Sequence, residues 1–257
     1  MKPSNIMDKR IDSRLAIGYG SAWHILRCLG WQRERFSTRI AGDIGASKIT
    51  WLDFPSYKKN QIFTSLAPIR DAEWTRIDFI RNEQVQEAYN SFWPRGGNQQ
   101  NWDAIGKATI DGKEEWLLVE AKGHLEEIFY KATEAKECGG RPMIRATFIS
   151  TIESLGYNNI DASVLAEEWL NGYYQYANRF ATLHFFTSQK IAARLVFLYF
   201  CGDKWPEPKK CPIDKNGWQE IVKNVHDKLG LKGTSMLEKR VHEVYVNVNL
   251  ANEEIQD

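Results

Sequence analysis

The sequence predicts an α/β protein with a mixed central β-sheet flanked by helices, and three observations carry that prediction. Two strand-like runs, NWDAIGKATI and KEEWLLVEAK, are separated by Asp111-Gly112, a dipeptide that readily supplies the positive φ angles of a tight hairpin turn. Residues 193–201 (ARLVFLYFC) are almost continuously apolar, the pattern of a strand covered on both faces and central in its sheet. Residues 162–188 carry Trp169, Tyr173, Tyr176, Phe180 and Leu183 at alternating four- and three-residue steps, which predicts one long helix with that stripe turned to the core.

Taken in order, residues 20–39 carry Trp23, Leu26, Cys28 and Leu29 among basic residues and read as a single opening helix with an exposed Arg-rich end. Residues 48–54 (KITWLDF), closed by Pro55, have the composition of a short strand, and a helix follows over 82–92. In WPRGGNQQNW (93–102), Pro94, Gly96 and Gly97 interrupt regular structure and leave a polar loop just ahead of Asp103, where a substrate would approach. Beyond the hairpin, helices are expected over 124–137, 142–155 and 162–188. A Pro- and Lys-rich loop, GDKWPEPKKCP, then leads to a helix near 217–229. The run VHEVYVNVNL follows, where Val244, Val246, Val248 and Leu250 alternate with Tyr245, Asn247 and Asn249 as in a half-buried strand. This order suits a mixed sheet sandwiched between helices. No composition break divides the 257 residues, so 1–257 is treated as one domain.

Composition narrows the function classes. Lys plus Arg number 34 against 33 acidic residues, so no global field draws in nucleic acid and any polyanion site is a local patch. The start, MKPSNIMDKRIDSR, has no apolar run long enough for a signal peptide or a membrane span, which sets the expectation of a cytoplasmic protein without a membrane partner. Cys28, Cys138, Cys201 and Cys211 form no C-x-x-C pair, and the five histidines show no H-E-x-x-H spacing, so neither zinc nor a disulfide framework is expected.

A carboxylate, one residue, then Lys occurs four times, at Asp111/Lys113, Glu120/Lys122, Glu134/Lys136 and Glu207/Lys209. Residues two apart share a face on a strand and diverge on a helix, so only a strand pair converges on one ion. Glu134/Lys136 falls on a predicted helix, Asp111/Lys113 straddles the turn, and Glu207/Lys209 flanks Pro208 in a loop. Glu120/Lys122 ends the strand WLLVEAK, and strand ends are where buried sheets present functional groups. A two-residue turn at Asp111-Gly112 pairs Ile110 with Lys113 and, counted back in register, sets Asp103 directly opposite Glu120. A four-residue loop closing Thr109 against Glu114 keeps that register, while a three-residue loop with a bulge breaks it. Opposed Cβ atoms lie about 4.5–5.5 Å apart, so two carboxylates there repel unless something neutralises them. A bound cation does so, and oxygen-only ligands favour Mg²⁺ or Mn²⁺.

These residues resemble the PD-(D/E)XK nuclease superfamily, the restriction-endonuclease-like fold, in which an Asp on one strand precedes Glu-x-Lys on its hairpin partner. The match covers Trp102-Asp103, with Trp102 where a proline often stands, and Glu120-Ala121-Lys122. The resemblance implies a restriction-endonuclease-like core over roughly residues 20–201, with a helix and strand added over 215–250. It implies that Asp103 and Glu120, with the backbone carbonyl of Ala121, bind the metal while Lys122 positions or helps deprotonate the attacking water. Members often add an acid from the helix before the hairpin, whereas here Ala22 and Trp23 open that helix and Glu34 comes late. The Q-x-x-x-Y of some members is replaced on the later helix by Gln175-Tyr176-Ala177-Asn178-Arg179.

Around this core, Gln175, Asn178 and Arg179 form a polar helix face suited to phosphate contact or, equally, to ion pairing. Arg95 in the polar loop and Lys204, Lys209 and Lys210 around Trp205-Pro206 are further candidates for contact with nucleic acid. His124 could assist proton transfer or simply start a helix. The expected activity is Mg²⁺- or Mn²⁺-dependent hydrolysis of phosphodiester bonds in DNA, internal or terminal, with RNA left open. The alternative is a non-catalytic nucleic-acid-binding or interaction module that keeps the fold, in which Lys122 merely pairs with a carboxylate. The strand at 244–250 offers an edge for a homodimer.

Overall fold

In the computed structural model, which describes residues 18–52, 73–97, 99–128, 131–158, 160–204 and 209–250, a five-stranded mixed sheet is flanked by helices. The helices are α1 (Ser21–Trp31), α2 (Arg33–Ile44), α3 (Glu83–Phe92), α4 (Arg141–Ser154), α5 (Ala162–Asn171), α6 (Tyr174–Ser188) and α7 (Lys215–Lys228). The strands are β1 (Lys48–Trp51), β2 (Trp74–Thr75), β3 (Asn101–Trp102), β4 (Ala104–Ile110), β5 (Lys113–Lys122), β6 (Ala193–Cys201) and β7 (Val241–Asn247). The large sheet has the order β1-β4-β5-β6-β7, and β2 pairs with β3 in a separate ribbon. Strand β4 pairs antiparallel with both β1 and β5, whereas β6 runs parallel to β5 and β7 parallel to β6.

The hairpin forms as its turn chemistry dictates. Asp111 and Gly112 both take positive φ (50° and 73°), the requirement of a two-residue turn whose twist matches its strands, and Ile110 pairs with Lys113. From there the ladder alternates cleanly between two cores. Leu117, Val119 and Ala121 join Ile25, Cys28, Phe36 and Ile40 under α1 and α2, while Leu118 joins the larger core beneath α3 to α7. Glu120 and Lys122 are in phase with Leu118 and so face the α3 to α7 layer. Strand β6 is buried on both sides, Val196, Leu198 and Phe200 in one core and Leu195, Phe197 and Tyr199 in the other. It is an interior strand, with β5 at the centre.

Several expected elements differ. The opening helix over 20–39 is two helices, broken at Gln32 (φ −122°). A continuous rod over 21–44 would run about 36 Å, well past the roughly 19 Å width of five strands. The break lets Ile25, Cys28 and Leu29 of α1 and Phe36, Ile40 and Ile44 of α2 pack on the same sheet face. The helix over 162–188 is likewise two, separated at Gly172 and at Tyr173, which takes a left-handed φ of 51°. Trp169 of α5 packs edge-on to Phe148 of α4 and donates to the Leu229 carbonyl (3.1 Å), while Tyr176 of α6 stacks on Phe197 of β6 at 4.2 Å. The apolar stripe runs through the break because both helices bury it.

The helix expected over 124–137 is absent among the described residues. Among the described residues of 124–137 the only regular element is a 3₁₀ turn, Leu125–Glu127, and residues 131–136 are irregular, tied to the α5–α6 junction by Thr133 N–H to the Leu170 carbonyl (2.8 Å) and Tyr174 N–H to the Lys131 carbonyl (3.1 Å). Glu134/Lys136 is therefore not helical, although it lies on no strand either. Strand β1 ends at Trp51, and residues 53–55, together with 205–208, lie outside the described residues. Strand β7 is an edge strand more covered than period-two alternation predicts. Tyr245 is buried as well as Val244 and Val246, stacked on Tyr199 at 5.2 Å, and Arg39 donates to its carbonyl (2.8 Å). No helix among the described residues is long and apolar enough to cross a membrane.

Gly112 sits at φ 73°, and a Cβ added there would meet only open space, so the cost of substitution is conformational alone. Gly112→Ala is expected to lower unfolding free energy by about 1–2 kcal/mol in urea titration.

Candidate active site

Strand β5 runs through apolar residues and then ends in Glu120-Ala121-Lys122, so two charged side chains enter a dry layer. Glu120, Lys122 and Arg179 are each only 3% exposed. Burial on this scale is tolerable only if the charges compensate and their hydrogen-bonding capacity is filled. Both conditions hold. The Lys122 ammonium donates to Glu120 Oε1 (2.6 Å) and to Gln175 Oε1 (2.8 Å). The Arg179 guanidinium reaches Glu120 Oε2 through Nε (2.7 Å) and Nη2 (2.6 Å). It also donates to Asn178 Oδ1 (2.7 Å) and the Asn101 carbonyl (2.6 Å), and lies 4.7 Å from the centre of the Trp102 ring. Gln175 and Arg179 stand one turn apart on α6 and so present one face to the strand end.

Asp103 enters differently. The β4–β5 ladder ends at Ala104 opposite Val119, and the amide of Asp103 also donates to the Val119 carbonyl (3.1 Å). Asp103 therefore bends out of the ladder one residue before it would face Glu120, a correction to the directly opposed pair. Its half-buried carboxylate instead accepts the Ala121 amide through Oδ2 (2.7 Å). The two acids still converge electrostatically. Burial first, and then the negative charge of Glu120, push the Asp103 carboxyl well above the ordinary range, against the pull of the Ala121 amide and Lys122. For Glu120, burial also acts upward, but Arg179 and Lys122 outweigh it and hold the group below its ordinary value.

The surroundings keep this arrangement rigid. Gln100 accepts from Tyr89 (2.8 Å) and Thr182 (2.6 Å) and donates to the Asn178 carbonyl (3.3 Å), fixing the loop that supplies Asn101. Arg76 holds the same loop through Pro94 and Gln99, and Trp102 donates to the Arg76 carbonyl (2.8 Å). On the other side, Gly123 lets the start of α1 come close: a Cβ there would lie 2.6 Å from the Ser21 nitrogen. Glu127 closes this corner by accepting the Gly123 amide (2.8 Å) and the Ser21 hydroxyl (3.4 Å).

A cleft of about 930 Å³ opens over these groups, lined by Asp103, Glu120, Ala121, Lys122, Gln175, Asn178 and Arg179. All seven are candidates on sequence grounds, but Arg179 and Gln175 serve here as partners of the strand-end charges. Arg95 is exposed and paired with Glu87 (3.0 Å), and Lys204, Lys209 and Lys210 are exposed; none of the four lines the cleft. Glu134, expected on a helix, lines it from the irregular stretch, while α1 contributes Ser21 and no carboxylate; two acids that sequence reasoning missed, Glu73 and Glu127, line it as well. Neither acid stands in a recognisable spacing to the Glu-x-Lys, so no sequence signal marks them. Among the described residues, no group of three or more His, Cys, Asp or Glu side chains is arranged to hold a metal ion. Compared with known proteins, the chain matches no family model, no curated protein and no solved structure.

Removing Arg179 leaves Glu120 Oε2, Asn178 Oδ1 and the Asn101 carbonyl without the donor that Arg179 supplies. Arg179→Met is expected to cost about 3–5 kcal/mol of stability, read by denaturant unfolding at neutral pH. Asp103 and Glu120 should respond to neutralisation with opposite signs. A carboxyl raised in the folded state makes stability fall as pH climbs from the ordinary carboxylate range through the raised value, so Asp103→Asn is expected to stabilise at pH 7 by about 1 kcal/mol. A carboxyl lowered in the folded state contributes stability above its unfolded value and loses it as pH falls through the folded one, so Glu120→Gln is expected to destabilise at pH 7 and to cost less in acid. Melting curves of both variants between pH 3 and pH 8 check the pair.

Proposed function

We propose that the protein is a metal-dependent phosphodiesterase that hydrolyses DNA. The observation that carries this reading is the meeting of Asp103, Glu120 and Lys122 in one cleft, with the ammonium fixed from both sides by Glu120 and Gln175. The mixed sheet, in which the antiparallel β4–β5 hairpin is followed by a parallel β6, supports it as an arrangement consistent with the restriction-endonuclease-like core.

The donor set suits a hard cation. Oδ1 of Asp103 makes no hydrogen bond to the described residues, and Oε1 of Glu120 accepts only Lys122, which leaves lone pairs on both carboxylates. Mg²⁺ is commonly held by one or two carboxylates, with water and substrate phosphate completing the shell, so Asp103, Glu120 and the Ala121 carbonyl would hold Mg²⁺ or Mn²⁺. Such an ion lowers the pKa of bound water and offsets charge on the phosphate. The chain's own residues do the rest. Lys122 orients the attacking water and stabilises the charge that builds on the phosphate oxygens. Gln175 holds that ammonium toward the cleft, and Arg179 fixes the plane of the Glu120 carboxylate. A second reading, a non-catalytic module that binds nucleic acid, is favoured by one observation: Arg179 and Lys122 already balance Glu120 without an ion.

The two readings separate in one experiment. Plasmid, single-stranded DNA and RNA are incubated with Mg²⁺ or Mn²⁺ and with wild type, Asp103→Ala, Glu120→Ala or Lys122→Ala. Wild type is expected to cleave DNA only with added metal, and each variant to lose about 10²–10³-fold in rate. Equal cleavage by all four proteins rejects the catalytic assignment, binding without cleavage supports the module, and preferential cleavage of RNA corrects the substrate.

A further inference from the structure

We propose that Glu127, His124 and Glu126 form a proton relay that carries a proton from solvent to the leaving-group oxygen in the cleft, a role that rests on the phosphodiesterase reading above. Glu127 lines the same cleft as Glu120 and Lys122. Its Oε1 lies 3.2 Å from Nε2 of His124, and Nδ1 of the same ring lies 2.7 Å from Oε2 of Glu126. Exposure rises outward from the ring, whose side chain is 7% exposed, to 21% at Glu127 on the cleft and 44% at Glu126 on the surface. A nearly buried imidazole thus spans two carboxylates, one facing the substrate space and one facing water. An imidazole is suited to such transfer because it can take a proton on one nitrogen and release another from the second.

The geometry is held by the backbone. Glu127 Oε2 accepts the Gly123 amide (2.8 Å), and the Leu125 amide donates to the Lys210 carbonyl (2.9 Å), pinning the 3₁₀ turn that presents all three side chains. His124 begins this turn two residues after Lys122, so one short stretch of backbone joins the relay to the group assigned to the attacking water, and Glu127 and Lys122 line the same cleft.

The step balances without any other reactant. As the water oxygen bonds to phosphorus, the bond from phosphorus to the sugar oxygen breaks, and the water's proton is released to solvent. The departing alkoxide takes a proton from the Glu127 carboxyl, Glu127 regains one from Nε2 of His124, and Nδ1 is reprotonated through Glu126 from solvent. A sugar alkoxide is a poor leaving group without that proton, whereas p-nitrophenolate leaves unaided.

Leaving-group chemistry therefore tests the relay. Wild type and His124→Gln are compared, with Mn²⁺, on DNA and on thymidine 5′-(p-nitrophenyl phosphate). The expected result is a fall in kcat on DNA of about 10²-fold or more, with KM little changed and turnover of the nitrophenyl ester retained. Glu127→Gln is expected to give the same split and decides the matter if His124→Gln fails to fold. Equal losses on both substrates overturn the relay and point to a structural or metal-holding role for this corner. Unchanged kcat on DNA overturns it as well. Wild type inactive on both substrates overturns the phosphodiesterase reading and the relay with it.

Discussion

The structure turns on one interaction: the Glu120 carboxylate, buried at the end of the central strand, held between Lys122 of its own strand and Arg179 of α6. Three charges at 3% exposure carry a desolvation penalty that their mutual attraction offsets only with near-ideal geometry. Much of the neighbouring architecture supplies that geometry. Arg179 also grips the Asn101 carbonyl and lies over Trp102, so the same guanidinium that neutralises the strand end ties in the chain segment that delivers Asp103. An apolar residue at position 120 would make an easier core. A charged triad there fixes instead which segments meet, and it leaves a carboxylate and an ammonium oriented toward a cleft.

The breaks in the helices follow from the same demand. Had residues 162–188 formed one rod, Trp169 and Tyr176 would share a face and α6 could not both cover β6 and place Gln175 and Arg179 over the strand end. The left-handed Tyr173 redirects the chain, so that α5 packs on α4 while α6 lies along the sheet. A non-glycine residue at φ 51° stores strain of roughly 1 kcal/mol or more. The aromatic contacts on both sides of the turn offset it. Gly123 plays the complementary part on the opposite wall, where the absence of a side chain allows the first turn of α1 to touch the end of β5.

What can be read from the sequence is local in origin. The hairpin is legible because Asp111-Gly112 encodes its own turn, β6 because a doubly covered strand has no polar face, and the Glu-x-Lys because a period of two sends both side chains the same way. The helix breaks are not legible, since apolar periodicity reports burial and both halves of each broken helix are buried. The irregular stretch at 131–136 has a helical pattern in sequence, but its backbone bonds go to Leu170 and Tyr174, far along the chain. The position of Asp103 escapes for a similar reason. Register predicts a partner only while the ladder continues, and the second hydrogen bond to Val119 ends it one residue early. Glu73 and Glu127 reach the cleft through tertiary placement alone. Arg179 stands out in the sequence as a residue of interest, but its partner, Glu120, lies 59 positions away and cannot be assigned from spacing.

The two carboxylates of the cleft illustrate how environment divides roles between like groups. Glu120 is compensated by two cations and stays ionised, which makes it a fixed point of the scaffold. Asp103 shares the burial and feels the Glu120 charge, yet it has only the Ala121 amide and a more distant ammonium in its favour. Its negative form is therefore the less stable of the two. Titratable groups whose surroundings push their pKa values apart are a recurrent mark of sites that do chemistry rather than sites that merely hold a fold. A purely structural ion cluster would be expected to compensate both acids. The protein compensates one, and the residual imbalance falls on the carboxylate that lies outside the strand ladder.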